Sequence, residues 1–344
     1  MSVDDPTTKL VSVVIKALNE EHHIESCVAS AVAAANALSG DVILADSGST
    51  DRTIDIASRY PIKIVQLADV SQRRCGIGPQ LGYQFAEGKY VYILDGDMEL
   101  DPEFLPAAIQ EFEGDAKLAG VAGLVEEQSD GSVQFRGRKA RNFEGTPGDV
   151  EWLDMGGLYR REAIQQVHYI SNRNLYAHEE KELGLRLSTK GWRLTRLPIK
   201  SITHYGHTEA TLSLLKKRWR SGYLFGAGQV IRASIGKAYF AEVLRGQRHL
   251  LLTLGLMAWL FAGLVTASST PSLLYGWVAS IAALAVQRIV RHRNLRDGLL
   301  CIVVWHVNAV ALVRGLFLPH TDPTLPVAAV TLFDNRTLRS DAPS

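Results

Sequence analysis

The chain has 344 residues, 47% of them hydrophobic and 21% charged, enough for two domains and too apolar for a disordered or collagen-like polymer. Its three cysteines (Cys27, Cys75, Cys301) are far apart with no C-x-x-C, which argues against a disulfide framework or zinc ribbon and fits a reducing compartment. The net charge of +1 conceals an asymmetry: residues 1–211 carry 22 Lys+Arg against 31 Asp+Glu, and residues 212–344 carry 15 against 5. That predicts an acidic catalytic half and a basic half facing anionic lipid or nucleic acid.

In chain order, Met1–Lys9 is polar and acidic and reads as no cleavable signal peptide. Leu10–Ile15 predicts a buried strand and Glu20–Leu38 a helix with small apolar residues on one face. Asp41–Ala45 predicts the next strand, ending in Asp46-Ser47-Gly48-Ser49-Thr50-Asp51 and a helix to Arg59. A strand at Ile62–Leu67, helical character at Gly76–Glu87 and a strand at Tyr90–Leu94 ending in Asp95-Gly96-Asp97 follow. Strands alternating with helices, with polar residues at strand C-termini, describe a parallel α/β sheet that binds its ligand along that edge.

Leu212–Arg248 has eight Lys/Arg and one acid, Glu242, interleaved with Trp219, Tyr223, Phe225, Tyr239 and Phe240. This predicts amphipathic helices in the headgroup layer of a membrane with anionic lipids. Leu250–Gln287 then runs 38 residues without a charge or histidine, broken by Ser268-Ser269-Thr270-Pro271-Ser272. Each arm is roughly 27 Å long as a helix, near the hydrocarbon thickness. Lipid-length runs beside the basic segment favour a membrane over nucleic acid. Gly298–Leu318, with His306, Asn308 and Arg314, is a third candidate that either spans or lies in the interface. Arg288, Arg291, Arg293 and Arg296 follow the second arm and predict a cytoplasmic loop, with the catalytic half on that face of the cytoplasmic membrane. Three spans put the C-terminal residues on the far side; two spans and an interfacial helix keep them inside. The expected domains are 1–211 catalytic, 212–248 interfacial, 249–320 membrane, and 321–344 a tail.

Three groups of residues carry chemistry. Asp46, at a strand end before a glycine turn, is placed to accept from a nucleobase N–H, and Asp51 to cap the following helix. Asp95 and Asp97, flanking Gly96, suit a hard divalent ion, Mn²⁺ or Mg²⁺, that neutralises a leaving diphosphate. Glu179 and Glu180 open an amphipathic helix through Leu183, Arg186 and Leu187, where a carboxylate can serve as general base or simply fill an acidic first turn. There is no G-x-G-x-x-G or Walker loop.

Together these residues resemble the inverting family 2 glycosyltransferases of the GT-A fold, from about Val11 to Gly222. Val11-Ser12-Val13-Val14-Ile15 with Asn19-Glu20 is similar to the family's opening strand and nucleotide loop. Asp46–Asp51 is similar to its D-[DS]-G-S-T-D turn, and Ala86-x-Gly88-x-Tyr90 with Asp95-Gly96-Asp97 to its A-x-G-x-Y strand and D-x-D. Gly156-Gly157-Leu158-Tyr159-Arg160-Arg161-Glu162-Ala163 resembles an acceptor-side segment, and Glu179-Glu180-x-Glu182-Leu183-x-x-Arg186-Leu187 the E-D-x-E-L-x-x-R-L pattern.

The resemblance implies a GT-A domain followed by amphipathic and transmembrane helices. It implies transfer of a sugar from a nucleotide-diphospho-sugar, a UDP-sugar first, to a lipid-linked or growing glycan in cell-surface polysaccharide synthesis. Ala17, Asn19, Glu20, Asp46, Ser47, Arg73, Arg74, Asp95, Gly96 and Asp97 fall on the donor side, with Asp97, Asp95 and His204 (His207 second) at the metal. Gly156, Gly157, Trp152, Arg218 and Trp219 fall on the acceptor side, with Asp154 and Met155 on the same loop as Trp152. Glu180 is implied as the base, with Glu179 as the alternative. The chain departs from the pattern at Lys16, in place of a proline, and at Pro79-Gln80, in place of Ala-Arg, which moves the diphosphate contact to Arg73 or Arg74. Leu215 replaces the glutamine of processive synthases. Two alternatives remain: a polyprenyl-phosphate glycosyltransferase and a catalytically silent scaffold subunit.

Overall fold

The structure, a computed structural model, describes residues 9–128, 145–154, 156–206 and 211–336. It divides into two units, one of residues 1–210 with 320–344 and one of residues 211–319.

The first unit is built on a mixed sheet. β1 (Val11–Ala17), β2 (Asp41–Asp46), β3 (Lys63–Leu67) and β4 (Tyr90–Asp95) are its parallel core, in the spatial order β3-β2-β1-β4. Their near-continuous burial is what a parallel sheet covered on both faces requires. Alternate residues of β1 feed two separate cores. Val13 and Ile15 join Ile24 and Val28 of α1 (Ile24–Asn36), while Val14 faces Leu81. A short α2 (Thr53–Ala57) follows β2, and α3 (Ile77–Tyr83) lies on β1. Gly82 permits that approach: a Cβ there would stand 2.2 Å from Val14 Cγ1.

Beyond β4 the order continues β8-β6-β9-β5, through β5 (Met98–Leu100), β6 (Leu118–Glu127), β8 (Gly157–Arg160) and β9 (Arg193–His204), and β7 (Gly148–Val150) pairs with β9. α4 (Phe104–Gly114), α5 (Arg161–Gln166) and α6 (Glu179–Thr189) complete the unit. The strands named from sequence are present, and β6–β8 add antiparallel pairs to the expected parallel sheet.

The C-terminal residues correct an expectation. In place of a free tail after residue 320, β10 (Ala329–Asp334) pairs antiparallel with β3, covering an edge that would otherwise be open. Arg336 reaches Asp41 and Asp334 at 2.7 and 2.8 Å, and Lys63 reaches Asp334 at 3.2 Å. The Arg336 hydrogen bond, with Lys63, holds Asp334 well below the usual carboxylate range.

The second unit contains α7 (Thr211–Arg220), α8 (Gly226–Ser234), α9 (Phe240–Gly246), α10 (Arg248–Val265), α11 (Ser272–His292) and α12 (Leu295–Leu316). The last three are long and apolar enough to cross a membrane.

Candidate active site

The functional side chains of the first unit gather at the C-terminal ends of β1, β2 and β4, where loops leave a parallel sheet. Ala17 ends β1, and its carbonyl accepts from Ser47 N at 3.0 Å. Asn19, in the left-handed region at φ 57°, accepts from Thr50 N at 2.8 Å and donates its own N–H to Ser49 Oγ at 2.9 Å. Glu20 N donates to Thr53 Oγ1 at 2.8 Å, and Asp51 accepts from Thr53 N at 3.0 Å at the start of α2. These bonds stitch the loops after β1 and β2 into one surface.

Asp46 departs from the expectation of a carboxylate open to a base. It is fully buried, and Oδ1 accepts from Gly48 N, Ser49 N and Gln66 Nε2 at 2.8–2.9 Å, while Oδ2 accepts from Ser49 Oγ at 2.5 Å. Those bonds hold its own turn in shape. Arg73 adds to that turn, donating to the carbonyls of Ser47 and Gly48 at 2.8 Å each. Arg74 lies 4.4 Å from the Tyr176 ring centroid and donates to Ser71 O and Arg73 O.

The Asp95-Gly96-Asp97 turn joins β4 to β5. Gly96 is required by proximity, since a Cβ would stand 2.9 Å from Glu20 Cγ. The two carboxylates part company here. Asp95 Oδ1 lies 3.1 Å from Lys16 Nζ, while Asp97 Oδ2 lies 3.5 Å from His204 Nε2. On the other side of that imidazole, Glu127 Oε2 accepts from Nδ1 at 2.8 Å. Burial alone would lower the His204 pKa, but hydrogen bonds to Asp97 and Glu127 push it up to about 10.

Among the described residues no three His, Cys, Asp or Glu side chains gather as one ligand set. The expected set of Asp95, Asp97 and His204 is therefore split. The Asp97–His204 pair still fits a divalent ion: an oxygen and a nitrogen donor face each other, and Glu127 fixes the second ring nitrogen as outer carboxylates do in metal–histidine sites.

At the start of α6, His178 takes φ 71°, turning the chain so that Glu179 and Glu180 open the helix. A cavity is lined by both glutamates with Lys16, Pro79, Asp95, Gly156 and Gly157. Lys16 Nζ lies 3.8 Å from Glu179 Oε1 and 4.0 Å from Glu180 Oε1. Burial and then the charge of Glu179 raise the Glu180 pKa to about 8, with Lys16 opposing. Burial also raises Glu179, again against Lys16. Lys16 itself would be lowered by burial, but Asp95, Glu180 and Glu179 carry it well above its ordinary value.

The rest of the helical motif is scaffold. Arg186 Nε donates to Glu182 Oε2 at 2.9 Å and Nη1 to the carbonyls of Val167 and Tyr169, and Glu182 accepts from Tyr169 OH at 3.0 Å.

Gly156 (φ 84°) and Gly157 line the cavity as expected of them. Trp152 does not; its indole donates to Asp154 Oδ1 at 2.7 Å and its ring meets Lys181, and the neighbouring Leu153 takes the cavity wall. Arg218 and Trp219 belong to the second unit, against the rings of Tyr223 and Phe225. Met155 and His207 lie outside the described residues.

Sequence reasoning missed Glu127, although it ends an apolar strand much as Asp46 and Asp95 do. It also missed Ser171, a buried cavity-lining residue whose Oγ has no hydrogen-bond partner among the described residues. No sequence signal marks that serine.

A parallel-core sheet whose strand ends carry a D-x-D turn and a facing pair of acids is the architecture of the GT-A fold. Residues 12–172 match the model for glycosyl transferase family 2, and that region of the chain is a family 2 glycosyltransferase domain.

The mannosyltransferase PcManGT from Pyrobaculum calidifontis, solved with GDP-Man and Mn²⁺, shares the fold with a TM-score of 0.60 at 17% identity, over 91% of this chain and 89% of that one. The dodecaprenyl-phosphate galacturonate synthase of Rhizobium johnstonii is 32% identical over 121 residues, covering 32% of this chain. The chain spans 35% of that relative's length. The low-salt glycan biosynthesis hexosyltransferase Agl6 of Haloferax volcanii is 24% identical over 92% of this chain and 77% of its own.

Proposed function

We propose that the protein is a membrane-anchored inverting glycosyltransferase. It would move one sugar from a nucleotide-diphospho-sugar to a hydroxyl of a lipid-linked or growing glycan at the cytoplasmic face of the cytoplasmic membrane. The observation that carries this reading is the single cavity shared by Asp95, Glu179, Glu180, Gly156 and Gly157. Inverting transfer needs a base on the acceptor side and compensation for a departing diphosphate. Glu179 and Glu180 are groups of the first kind and the Lys16 ammonium is one of the second, and all three line this one space.

Glu180 takes the acceptor proton, and Glu179 is the alternative one residue away. Lys16 links Asp95 to both glutamates, so donor-side and acceptor-side groups are held by one cation. Asp46 and Arg73 hold the donor turn in shape, leaving Asn19, Glu20 and the loop backbone to meet the nucleotide. Arg74 is the remaining donor-side cation for the diphosphate, and Arg218 with Trp219 are retained as acceptor-side residues. Asp97 with His204 would hold Mn²⁺ or Mg²⁺, which supplies Lewis-acid neutralisation of the leaving diphosphate when bound. Arg288, Arg291, Arg293 and Arg296 support the cytoplasmic orientation.

The test is release of nucleoside diphosphate by the detergent-solubilised full-length protein, over a panel of UDP-sugars and GDP-mannose, with Mn²⁺ or Mg²⁺ and with EDTA. UDP-sugars come first; PcManGT's complex with GDP-Man and Mn²⁺ supports including GDP-mannose. Metal-dependent release with one donor is expected. Release unchanged in EDTA removes the metal from the reading, and no release with any donor leaves a scaffold. The match to the galacturonate synthase favours a second reading, transfer to a polyprenyl phosphate. A polyprenyl-phosphate-sugar as sole product would establish it.

A further inference from the structure

Three consecutive helices in the second unit are long and apolar enough to cross a bilayer, and the third, α12, is the most apolar of them. Composition alone makes it a span. The fold does not allow three.

The chain leaves the first unit at residue 210 and rejoins it at residue 320. β10 is hydrogen-bonded into the same sheet as β1–β4, with Ala329 opposite Leu67 and Asp334 opposite Lys63. Two strands of one sheet occupy one compartment, because a backbone ladder cannot be shared across hydrocarbon. The number of crossings between residues 210 and 320 is therefore even.

Contacts within the second unit say which helix is left out. α10 and α11 pack along each other to their turn: Trp277 Nε1 donates to Leu256 O at 2.9 Å, and a Cβ on Gly263 would stand 2.8 Å from Leu274 Cδ2. α11 buries none of its residues. Among the described residues only Leu250, Thr253 and Gly263 of this hairpin are buried, so most of its apolar surface needs lipid.

α12 instead stays at the hairpin's foot. Gly298 sits against Ile289, near the end of α11. Trp305 meets His249 at 5.2 Å and Arg288 at 4.7 Å, close to where α10 begins and α11 ends. Trp305 is ten residues into α12; a helix rising with the hairpin would have carried it about 15 Å from the foot by then. The far end of α12 closes on α8, which precedes α10: Gly228 packs on Leu312 O, Gly315 on Phe225 O, and Arg232 donates to the carbonyls of Leu316 and Leu318.

The exposed residues of α12 have their own pattern. Leu295, Leu299, Val303, Val310, Val313 and Phe317 are all exposed and fall within an arc of about 80° at helical spacing. Gly298, Leu312 and Gly315 are buried on the other side. Arg296 and Arg314 both fall along one edge of the stripe at helical spacing, and residues 211–319 carry 13 Lys/Arg against two acids. One apolar face with cations along one edge, on a basic unit, fits the boundary between acyl chains and anionic headgroups.

We propose that α10 and α11 cross the membrane as a hairpin and that α12 lies in the headgroup plane on the catalytic domain's side. The inference rests on the membrane anchorage proposed above, and the experiment separates the two. Ser269→Cys, Arg293→Cys and Thr321→Cys are each introduced into the full chain, in sealed membrane vesicles of known sidedness. Labelling by a membrane-impermeant maleimide is read as the increment over wild type, which has its own three cysteines. Arg293→Cys and Thr321→Cys should label from one face and Ser269→Cys from the opposite face. Labelling of Thr321→Cys from the Ser269→Cys face makes α12 a third span and overturns the proposal. Labelling of all three from one face removes the crossing hairpin and also overturns it. Carbonate extraction of wild-type membranes then tells which reading fell: a protein that washes off has lost anchorage altogether, and one that stays has lost only this topology.

Discussion

Lys16 and Asp95 are partners twice over: they stand in register across the β1–β4 ladder, and Lys16 Nζ reaches Asp95 Oδ1 at 3.1 Å. The same lysine lies within 4.0 Å of both Glu179 and Glu180. One ammonium thus offsets three carboxylates drawn from two parts of the sequence, and the site's response to pH follows from that count.

Glu180 accepts a proton only when ionised, and its pKa stands near 8. The acidic limb of the kcat/KM profile, which reports the free enzyme, should therefore rise toward about pH 8. Glu179→Gln removes the negative charge that raises Glu180, so the limb should move to lower pH. Lys16→Met removes the opposing cation, so the limb should move to higher pH. Profiles for the three proteins check the order; a limb unmoved by either substitution excludes Glu180 as the titrating group.

The base itself is tested at a pH where the wild type is fully ionised. Glu180→Gln should lower transfer roughly 10²–10⁴-fold, the usual contribution of a positioned general base, with donor affinity barely changed. Glu179→Gln should keep most of its transfer there. If the two outcomes are reversed, the base moves by one residue; if neither variant loses transfer, the phosphate-acceptor reading gains.

Glu127 touches no substrate in this scheme and acts through His204, whose Nδ1 it holds at 2.8 Å. Glu127→Gln should weaken apparent Mn²⁺ affinity about 10–100-fold, as loss of an outer-sphere partner does, with activity recovering at saturating metal. Asp97→Asn should abolish transfer at any metal concentration. A metal titration of both variants distinguishes holding the ligand from being one.

Stability predictions follow from the two buried ion pairs. Arg186→Leu leaves Glu182 buried beside Tyr169 without its cation and should cost roughly 3–5 kcal/mol. Arg336→Ala removes a charged hydrogen bond from buried Asp41, which keeps Lys9 at 2.7 Å, and should cost roughly 1–3 kcal/mol. Because the folded pKa of Asp334 is depressed, its contribution is present above the ordinary carboxylate value and is lost as pH falls below about 4. Thermal melts of the variants at pH 7 and at about pH 2, inside the window where the contribution is lost, test the sizes and the sign.

The parallel core was legible because buried β-branched runs ending in acids have few other structural meanings, and Asp46, Asp95 and Glu180 all stand at element ends. What each carboxylate faces was not legible. Asp46 turned inward because Gln66, its register partner on β3, supplies a donor from 20 residues away. Trp152 left the cavity to Leu153, a one-residue difference along a segment that packs closely on Gly184. Glu127 meets His204 across 77 residues through the β6–β9 ladder. Cross-strand register decides these pairings, and no local pattern encodes it.

The strand that closes the edge of β3 is made only after the helical unit that precedes it in the chain. During synthesis, the first 210 residues emerge with β3 uncovered, and 109 residues of helical unit must follow before residue 320 is reached. The sheet is therefore finished only after the apolar hairpin has been made. A ribosome stalled between the two would hold a nascent domain with a live edge, open to strand-binding chaperones or to a neighbouring copy. Completion of the fold reports, in effect, that the whole helical unit has been made.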